Sequence, residues 1–236
     1  MTRRIDILTL FPEMVAALLA TSIPKRCADK GLVKYFVTNI RDFATDAHKS
    51  VDDKPFGGGP GMIMMCQTVF DAVENVEKQD SRPPTRILLS PQGKTLDQNL
   101  VQELAGKERL LLIAGHYEGF DQRIIDGLKP LEISLGDYIL SGGELAALAV
   151  VDAVVRLYPG ALGAEDGAAD ESFADGLLEH PQYTRPREFR GMSVPEVLLG
   201  GNHSAIARWR LEQRRRQTQQ RRPDLWSAYQ AKEKSI

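Results

Sequence analysis

The chain has 236 residues, 42% of them apolar and 26% charged, and its formal net charge at pH 7 is −2. This length can bury a sizeable core, and we expect two domains. The two cysteines, Cys27 and Cys66, form neither a disulfide framework nor a zinc-binding pattern, which indicates a reduced, cytoplasmic protein.

The first third of the chain predicts two strands and two helices. Residues 4–10 read as a strand, residues 11–20 as a helix entered through Pro12, and residues 32–38 as a second strand. A glycine-rich loop, "KPFGGGPGM", precedes a helix with apolar residues on one face. The N-terminus is not a signal peptide, because Asp6, Pro12 and Glu13 interrupt its apolar stretch.

From residue 87 the pattern of apolar strand, glycine turn and helix occurs three times, which predicts an α/β fold with a mainly parallel sheet. A glycine turn after a parallel strand lets backbone groups approach a ligand, although each turn taken alone is more simply a tight connection. The third helix is predicted at residues 144–158. Residues 145–158 form the longest apolar segment, which contains Asp152 and Arg156 and is too short to span a bilayer.

The C-terminal third contrasts an acidic segment with a basic one. Residues 160–176 are rich in Gly, Ala and acidic side chains, which is typical of a linker or a mobile lid. Two helices follow, at residues 204–219 and 222–231. Residues 202–222 contain seven arginines and one glutamate, a local charge of +6 in a chain of net −2, and this asymmetry indicates a polyanionic partner.

Six motifs follow one another along nearly the whole chain: "DDKPFGGGPGM", "LSPQG", "GHYEGFDQR", "SLGDYILSGGE", "SFADGLLEHPQYTRP" and "RWRLEQ…RRPDL". Together they resemble those of the bacterial tRNA (guanine-N1)-methyltransferases, which methylate guanosine 37, just 3′ of the anticodon. The resemblance implies a knotted methyltransferase of the SPOUT class. S-adenosylmethionine would lie bent in a deep trefoil knot, and a homodimer would share each active site between subunits. The implied domains are a knotted cofactor domain (1–160), an acidic linker or lid (161–175) and a small helical C-terminal domain that binds tRNA (176–236).

In the family the three turns form the cofactor cradle. The residues implied here are Leu88, Leu89, Ser90, Pro91, Gln92, Gly93, Gly115, Tyr117, Glu118, Gly119, Leu135, Gly136, Asp137, Tyr138, Ile139, Leu140, Gly142 and Gly143. His116 lies in the second turn, and we interpret it as a partly exposed loop histidine.

Methylation at N1 of guanine requires removal of the N1 proton and stabilisation of the charge that spreads to O6. Spacing alone favours an ion pair between Arg156 and Asp152, but the resemblance aligns Arg156 with the catalytic arginine. The family has an aspartate as base just before "SF". Glu171 stands there in this chain, and the neighbouring Asp170 is the alternative. The resemblance also places Glu118 beside the methyl donor. This chemistry demands no metal, and the four histidines, which lack ligand spacing, are consistent with that; whether Mg²⁺ assists stays open.

Two groups of residues are predicted to bind the substrate, the tRNA anticodon stem-loop. The resemblance implies that the first group approaches the target base: His48, Asp52, Pro60 and Gly61. The second group could contact RNA from the C-terminal part: Tyr183, Arg185, Arg208, Arg214 and Arg215. Two other functions are considered, a knotted methyltransferase acting on another site such as a ribose 2′-hydroxyl, and a non-catalytic RNA-binding module.

Overall fold

The computed structural model describes residues 2–163 and 171–234. The chain divides into two compact units, Met1–Gly163 and Ala164–Ile236. Within the described part of the first unit, five strands form one sheet: β1 (Arg3–Thr9), β2 (Val33–Asn39), β5 (Thr85–Thr95), β6 (Arg109–Ile113) and β7 (Leu131–Ser134). Their order is β2-β1-β6-β5-β7, and all neighbours are parallel. The predicted α/β fold with a mainly parallel sheet is confirmed.

Six α-helices accompany this sheet in the described residues of the first unit: α1 (Pro12–Leu19), α2 (Ser22–Asp29), α3 (Cys66–Lys78), α4 (Gln98–Ala105), α5 (Gln122–Leu128) and α6 (Glu144–Val155). They cover both faces. Leu110 and Leu112 of β6 pack into a core with α1, α2, α4 and α6, whereas Leu111 and Ile113 pack into a core with α3 and α5. Because both faces are covered, the central strand β6 is buried along its whole length and is apolar from Leu110 to Ile113.

Strand β5 contains the first predicted turn instead of ending at it. Leu89 and Lys94 both pair with Ile133 of β7, so residues 90–93 form a wide irregularity within the strand. Gly93 lies directly against the backbone between Glu132 and Ile133, where an added Cβ would overlap main-chain atoms. The prediction of a strand-to-helix turn at this position is therefore wrong, because β5 resumes pairing before α4 begins.

Two short elements of the first unit were not predicted. Helix α2 follows α1 almost directly and contains Pro24, which is tolerated because it lies in the first turn, where the N–H has no intrahelical acceptor. A small hairpin joins β3 (Asp52–Asp53) and β4 (Ile63–Met64).

Helix α6 ends at Val155, earlier than predicted, because the N–H groups of Leu157 and Tyr158 donate to the carbonyls of Val154 and Val155, three residues back.

A buried ionic cluster connects β1 and β6 to the end of α3. Arg4 and Arg109 both donate to the carboxylate of Asp6, and the side chains of Arg109 and Asp6 are 0% and 1% exposed. Arg109 also donates to backbone carbonyls of Val76, Asp80 and two further residues at the end of α3 and in the loop after it. The guanidinium therefore satisfies helix C-terminal carbonyls that would otherwise lack donors.

We expect Arg109→Met to destabilise the first unit by about 3–5 kcal/mol, because it leaves Asp6 with one fewer buried donor and several carbonyls without a partner. Urea unfolding followed by circular dichroism measures this. Arg123→Met is the matched control. The Arg123 side chain is 72% exposed and pairs with Asp121 at the surface, so its loss should cost less than about 1 kcal/mol. Equal midpoints for the two variants would contradict the role of the buried cluster.

The second unit contains the two predicted helices, now observed as α7 (His203–Arg221) and α8 (Pro223–Glu233). A hairpin that was not predicted, β8 (Glu188–Phe189) with β9 (Met192–Ser193), turns at Arg190 and Gly191, which both have positive φ. The predicted acidic segment is described at residues 160–163 and 171–176; Glu165, Asp166 and Asp170 lie outside the described residues. Its described end is folded into this unit, since Asp175 pairs with Arg214 of α7.

Candidate active site

A cavity of about 400 Å³ lies in the first unit, where the loops after β6 and β7 meet the irregular part of β5. This is the carboxyl edge of the sheet, where open α/β folds bind ligands. Most of the predicted cofactor residues line the cavity: Leu88, Leu89, Ser90, Pro91, Gln92, Gly115, Tyr117, Glu118, Gly119, Leu135, Gly136, Tyr138, Ile139, Leu140, Gly142 and Gly143. Gly93 and Asp137 belong to the same loops but do not line it.

The second and third loops are joined directly by their backbones. The N–H of Gly143 donates to the carbonyl of Gly115 at 2.7 Å. A Cβ on Gly143 would approach the Cα of Ala114 to 2.9 Å, and a Cβ on Gly115 would overlap the ring of Phe120. These two positions therefore require glycine so that the loops can meet at the cavity wall.

The glycine-rich loop between β3 and β4 is joined to the second loop. The N–H of Glu118 donates to the carbonyl of Met62 at 2.9 Å, and Gly61 packs so closely on the Glu118 side chain that a Cβ would overlap it. Asp52 lies near the hydroxyl of Tyr117. Burial raises the pKa of Tyr117, the Asp52 carboxylate acts in the same direction, and Arg41 opposes it. The structure thus places Asp52 and Gly61, two of the residues predicted to bind the substrate, against a loop that lines the cavity.

The two other predicted substrate residues of this unit lie on exposed loop segments. The backbone N–H of His48 donates to the Asp46 carboxylate at 2.9 Å, and Pro60 is exposed beside Gly61.

Arg156 is not part of the cavity wall. It caps the C-terminal end of α6, where its N–H donates to the carbonyl of Asp152 at 3.4 Å. The cavity lies at the other end of this helix, next to Gly143. Twelve residues separate Arg156 from Glu144, a rise of about 18 Å in an α-helix. One chain therefore does not bring its own Arg156 to its own cavity.

Glu171 belongs to the second unit and is partly buried. The carbonyl of Glu171 accepts a hydrogen bond from the N–H of Ala174, and the hydroxyl of Ser172 accepts one from the N–H of Glu179. Glu171 therefore begins a series of tight turns. Asp170, the alternative base, lies outside the described residues. The choice between the two carboxylates stays a prediction.

Comparison with known proteins decides the family. The family model of the tRNA (Guanine-1)-methyltransferase TrmD matches residues 3–228. A tRNA (guanine-N(1)-)-methyltransferase of Dehalococcoides mccartyi is 54% identical over 94% of this chain and 90% of its own length. The enzymes of that name from Moorella thermoacetica and Anoxybacillus flavithermus are 54% and 51% identical, over 94% and 98% of this chain and 89% and 94% of their own.

The chain belongs to the TrmD family.

In this family member the predicted RNA-binding arginines fall into two classes. Arg214 is 12% exposed and pairs with Asp175, and Arg215 donates to the Tyr229 hydroxyl at 3.1 Å and to Glu233 at 2.9 Å. These two side chains hold the second unit together. The exposed arginines of α7 have no such contacts among the described residues: Arg208, Arg210, Arg216 and Arg221. Tyr183 and Arg185 are exposed as well, and the Tyr183 ring lies 6.4 Å from that of Trp209.

No group of three or more His, Cys, Asp and Glu side chains that could hold a metal ion occurs in residues 2–163 and 171–234. Burial raises the pKa of both free cysteines, Cys27 and Cys66, so neither thiol is activated as a nucleophile. None of the described helices is both long and apolar enough to cross a membrane.

Sequence reasoning missed a polar group beneath this TrmD cavity. Glu144 is 3% exposed and interacts with Thr9 and His116, whereas the sequence shows Glu144 only as the start of a helix and Thr9 only as the end of a strand. His116 was interpreted as a loop histidine. Its side chain is 28% exposed, but its Nδ1 atom is buried. The only signal in the sequence for this group was one carboxylate, that of Glu144, directly after "SGG" at the N-terminal end of an apolar helix.

Proposed function

We propose that this protein transfers a methyl group from S-adenosylmethionine to N1 of guanosine 37 in tRNA. The observation that carries the proposal is the cavity: three separate motifs of the TrmD family meet in it, and a fourth, the glycine-rich loop, is hydrogen bonded to its wall. Incubation of unmodified tRNA with the protein and S-adenosylmethionine, followed by mass spectrometry of the nucleosides, tests it. The expected product is 1-methylguanosine at position 37.

The residues of the cavity fit S-adenosylmethionine. A volume of about 400 Å³ lies within the range of small-molecule sites, which are mostly apolar with a few polar groups. Leu88, Leu135 and Leu140 supply apolar surface, and the glycine loops supply backbone donors and acceptors. The Glu118 carboxylate lies on the wall, where it would attract a sulfonium cation. The bound cofactor supplies a methyl group on a positively charged sulfur.

The pairing of β5 supports the proposed trefoil knot. One strand residue can have one partner on each edge, and Ile133 pairs with Leu89 and with Lys94. The chain therefore passes from one edge of β7 to the other within residues 90–93. A crossing of this kind is the step by which a chain can thread around its own strand and hold a bent cofactor against it.

The proposed chemistry uses two side chains outside the cavity wall. The carboxylate of Glu171 removes the N1 proton of guanine, with Asp170 as the alternative base. The guanidinium of Arg156 stabilises the negative charge that spreads to O6. The N1 lone pair, freed of its proton, would then take the methyl group as the methyl–sulfur bond of the donor breaks, and S-adenosylhomocysteine would leave as a neutral thioether. The target guanine must be turned out of the anticodon loop to reach the site.

The position of Arg156 supports a homodimer that shares its active sites. The rise of about 18 Å along α6 keeps Arg156 away from the cavity of its own chain, and a second copy can supply it. The first unit also exposes apolar side chains that a partner could cover: Phe11, Met14 and Leu18 on one side of α1, and Leu145 at the start of α6. We propose that the dimer acts on tRNA in the cytoplasm.

Two other functions make different predictions. A methyltransferase acting on a ribose would yield a 2′-O-methylated nucleoside in the same mass spectrum. A non-catalytic RNA-binding module would show no affinity for S-adenosylmethionine by calorimetry.

Methyl-transfer assays with and without EDTA decide whether Mg²⁺ is needed.

The exposed arginines of α7 provide a test of tRNA binding. We expect replacement of Arg208, Arg210 and Arg216 by glutamine to weaken tRNA binding and to make its salt dependence shallower, by about one unit of slope per lost phosphate contact. Titrations at several salt concentrations measure this.

The matched control neutralises two exposed arginines of the first unit, Arg26 and Arg123. It should leave the slope unchanged. A triple variant with the wild-type slope would show that α7 does not contact the RNA backbone.

A further inference from the structure

A buried carboxylate lies directly beneath the second and third cavity loops. Glu144 is the first residue of α6, and its Oε1 atom accepts a hydrogen bond from the Thr9 hydroxyl at 2.8 Å. Thr9 is itself fully buried, and its Oγ1 accepts a hydrogen bond from the N–H of Phe11 at 2.9 Å. Both the threonine hydroxyl and the N-terminal end of the helix stabilise negative charge at this point. One side of the Glu144 carboxylate is therefore fixed to the sheet.

His116 lies between this carboxylate and the cavity. Its Nδ1 atom is 3.9 Å from Oε2 of Glu144, which is too long for a hydrogen bond. The same Nδ1 atom is buried and has no hydrogen-bond partner among the described residues. The rings of Phe11 and Tyr117 pack edge-on against the imidazole, with centroids 5.0 and 5.3 Å away. The imidazole is thus held close to Glu144 but not bonded to it.

This arrangement joins two loops that line the cavity. His116 belongs to the second loop and forms a backbone bridge to Gly142 of the third, while Glu144 directly follows the third. A Cβ on Gly142 would overlap both the Glu144 carboxylate and the His116 ring, so only glycine allows the two side chains to face each other there. A small movement of either loop changes the distance between the imidazole and the carboxylate.

We propose that His116 and Glu144 form a latch that closes when the cofactor fills the cavity. In the closed state Nδ1–H of His116 donates to Oε2 of Glu144, and this bond holds the second and third loops around the ligand. A buried nitrogen without a partner is costly, whereas a hydrogen bond to a carboxylate is among the stronger ones in proteins. Closure therefore adds to the affinity for the cofactor. His116 is a positioning residue, and the inference rests on the proposed function.

Two substitutions of His116 separate this role from simple packing. His116→Asn places an amide N–H close to the position of Nδ1, and His116→Gln places it close to the position of Nε2. We expect His116→Asn to retain affinity for S-adenosylmethionine within about threefold, and His116→Gln to weaken it about tenfold or more, as for loss of a charge-assisted hydrogen bond. Calorimetry measures both, and circular dichroism confirms that the variants are folded.

Nitrogen NMR of the wild-type protein, labelled with ¹⁵N-histidine, tests the latch without any substitution. The expected result is a His116 Nδ1 that carries a proton and becomes hydrogen bonded when S-adenosylmethionine is added. If the wild-type protein does not bind S-adenosylmethionine, the proposed function fails. If it binds, but Nδ1 carries no proton in the complex or the two His116 variants bind equally well, the latch is wrong and the proposed function stands.

Discussion

We expect Arg156→Ala to lower kcat for methyl transfer to tRNA by about 10²–10³-fold, the usual effect of removing a donor that stabilises charge developing in the transition state. The affinity for S-adenosylmethionine stays unchanged, because Arg156 lies at the end of α6 remote from the cavity. Single-turnover kinetics and calorimetry measure the two quantities. Arg156→Lys keeps the positive charge but not the planar guanidinium group, which can donate two parallel hydrogen bonds. It should therefore recover only part of the rate.

Mixing of inactive chains tests whether the arginine acts across a dimer. Ser90→Trp would fill the cavity and abolish cofactor binding, since Ser90 lines its wall. In a mixed dimer of Ser90→Trp and Arg156→Ala chains, a shared arrangement leaves one site with both an intact cavity and an intact arginine. Activity should therefore return on mixing. Activity that stays at the level of the separate variants would exclude a shared site.

We expect Glu171→Gln to lower the rate of methyl transfer by about 10²-fold or more, within the range expected for loss of a general base. Glutamine has nearly the shape of glutamate but cannot accept the N1 proton. The affinities for cofactor and tRNA should be close to those of the wild type, which fluorescence titration checks.

Asp170→Asn is the matched control for this prediction, because it removes the neighbouring carboxylate and leaves Glu171 in place. We expect it to retain most of the activity. The reverse result, an active Glu171→Gln and an inactive Asp170→Asn, would make Asp170 the base. Glu171→Asp keeps the carboxylate on a side chain one methylene shorter, and we expect it to retain part of the activity.

The sequence predicted most of the regular structure of the first unit, because there the local signals agree with the fold. The apolar run of β6 is buried along its whole length, and the glycine turns that follow β6 and β7 lie at the cavity. Local signals failed where a contact distant in sequence decides the structure. Residues 90–93 look like a turn, yet Lys94 continues β5, because β7 offers a second edge for pairing.

The candidate site shows the same division between local and distant signals. The cavity residues were predictable because the loops that carry them are recognisable motifs. The pair formed by His116 and Glu144 was not predictable, because no sequence motif links the two residues. Thr9, whose hydroxyl donates a hydrogen bond to Glu144, is 135 positions away in the sequence. Arg214 and Arg215 were predicted to bind RNA from local charge density, and only the fold shows their bonds to Asp175 and Glu233.

The fold class, the family motifs and the basic character of α7 are readable from the sequence, since each depends on residue type and short spacing. Tertiary structure decided which side chains meet: the backbone contact between Gly143 and Gly115, the burial of Glu144, and the distance between Arg156 and the cavity of its own chain. The physical reason is that burial and pairing depend on neighbours brought together by strand order. Short patterns along the sequence do not show which distant residues become neighbours, because the pairing of the strands brings them together.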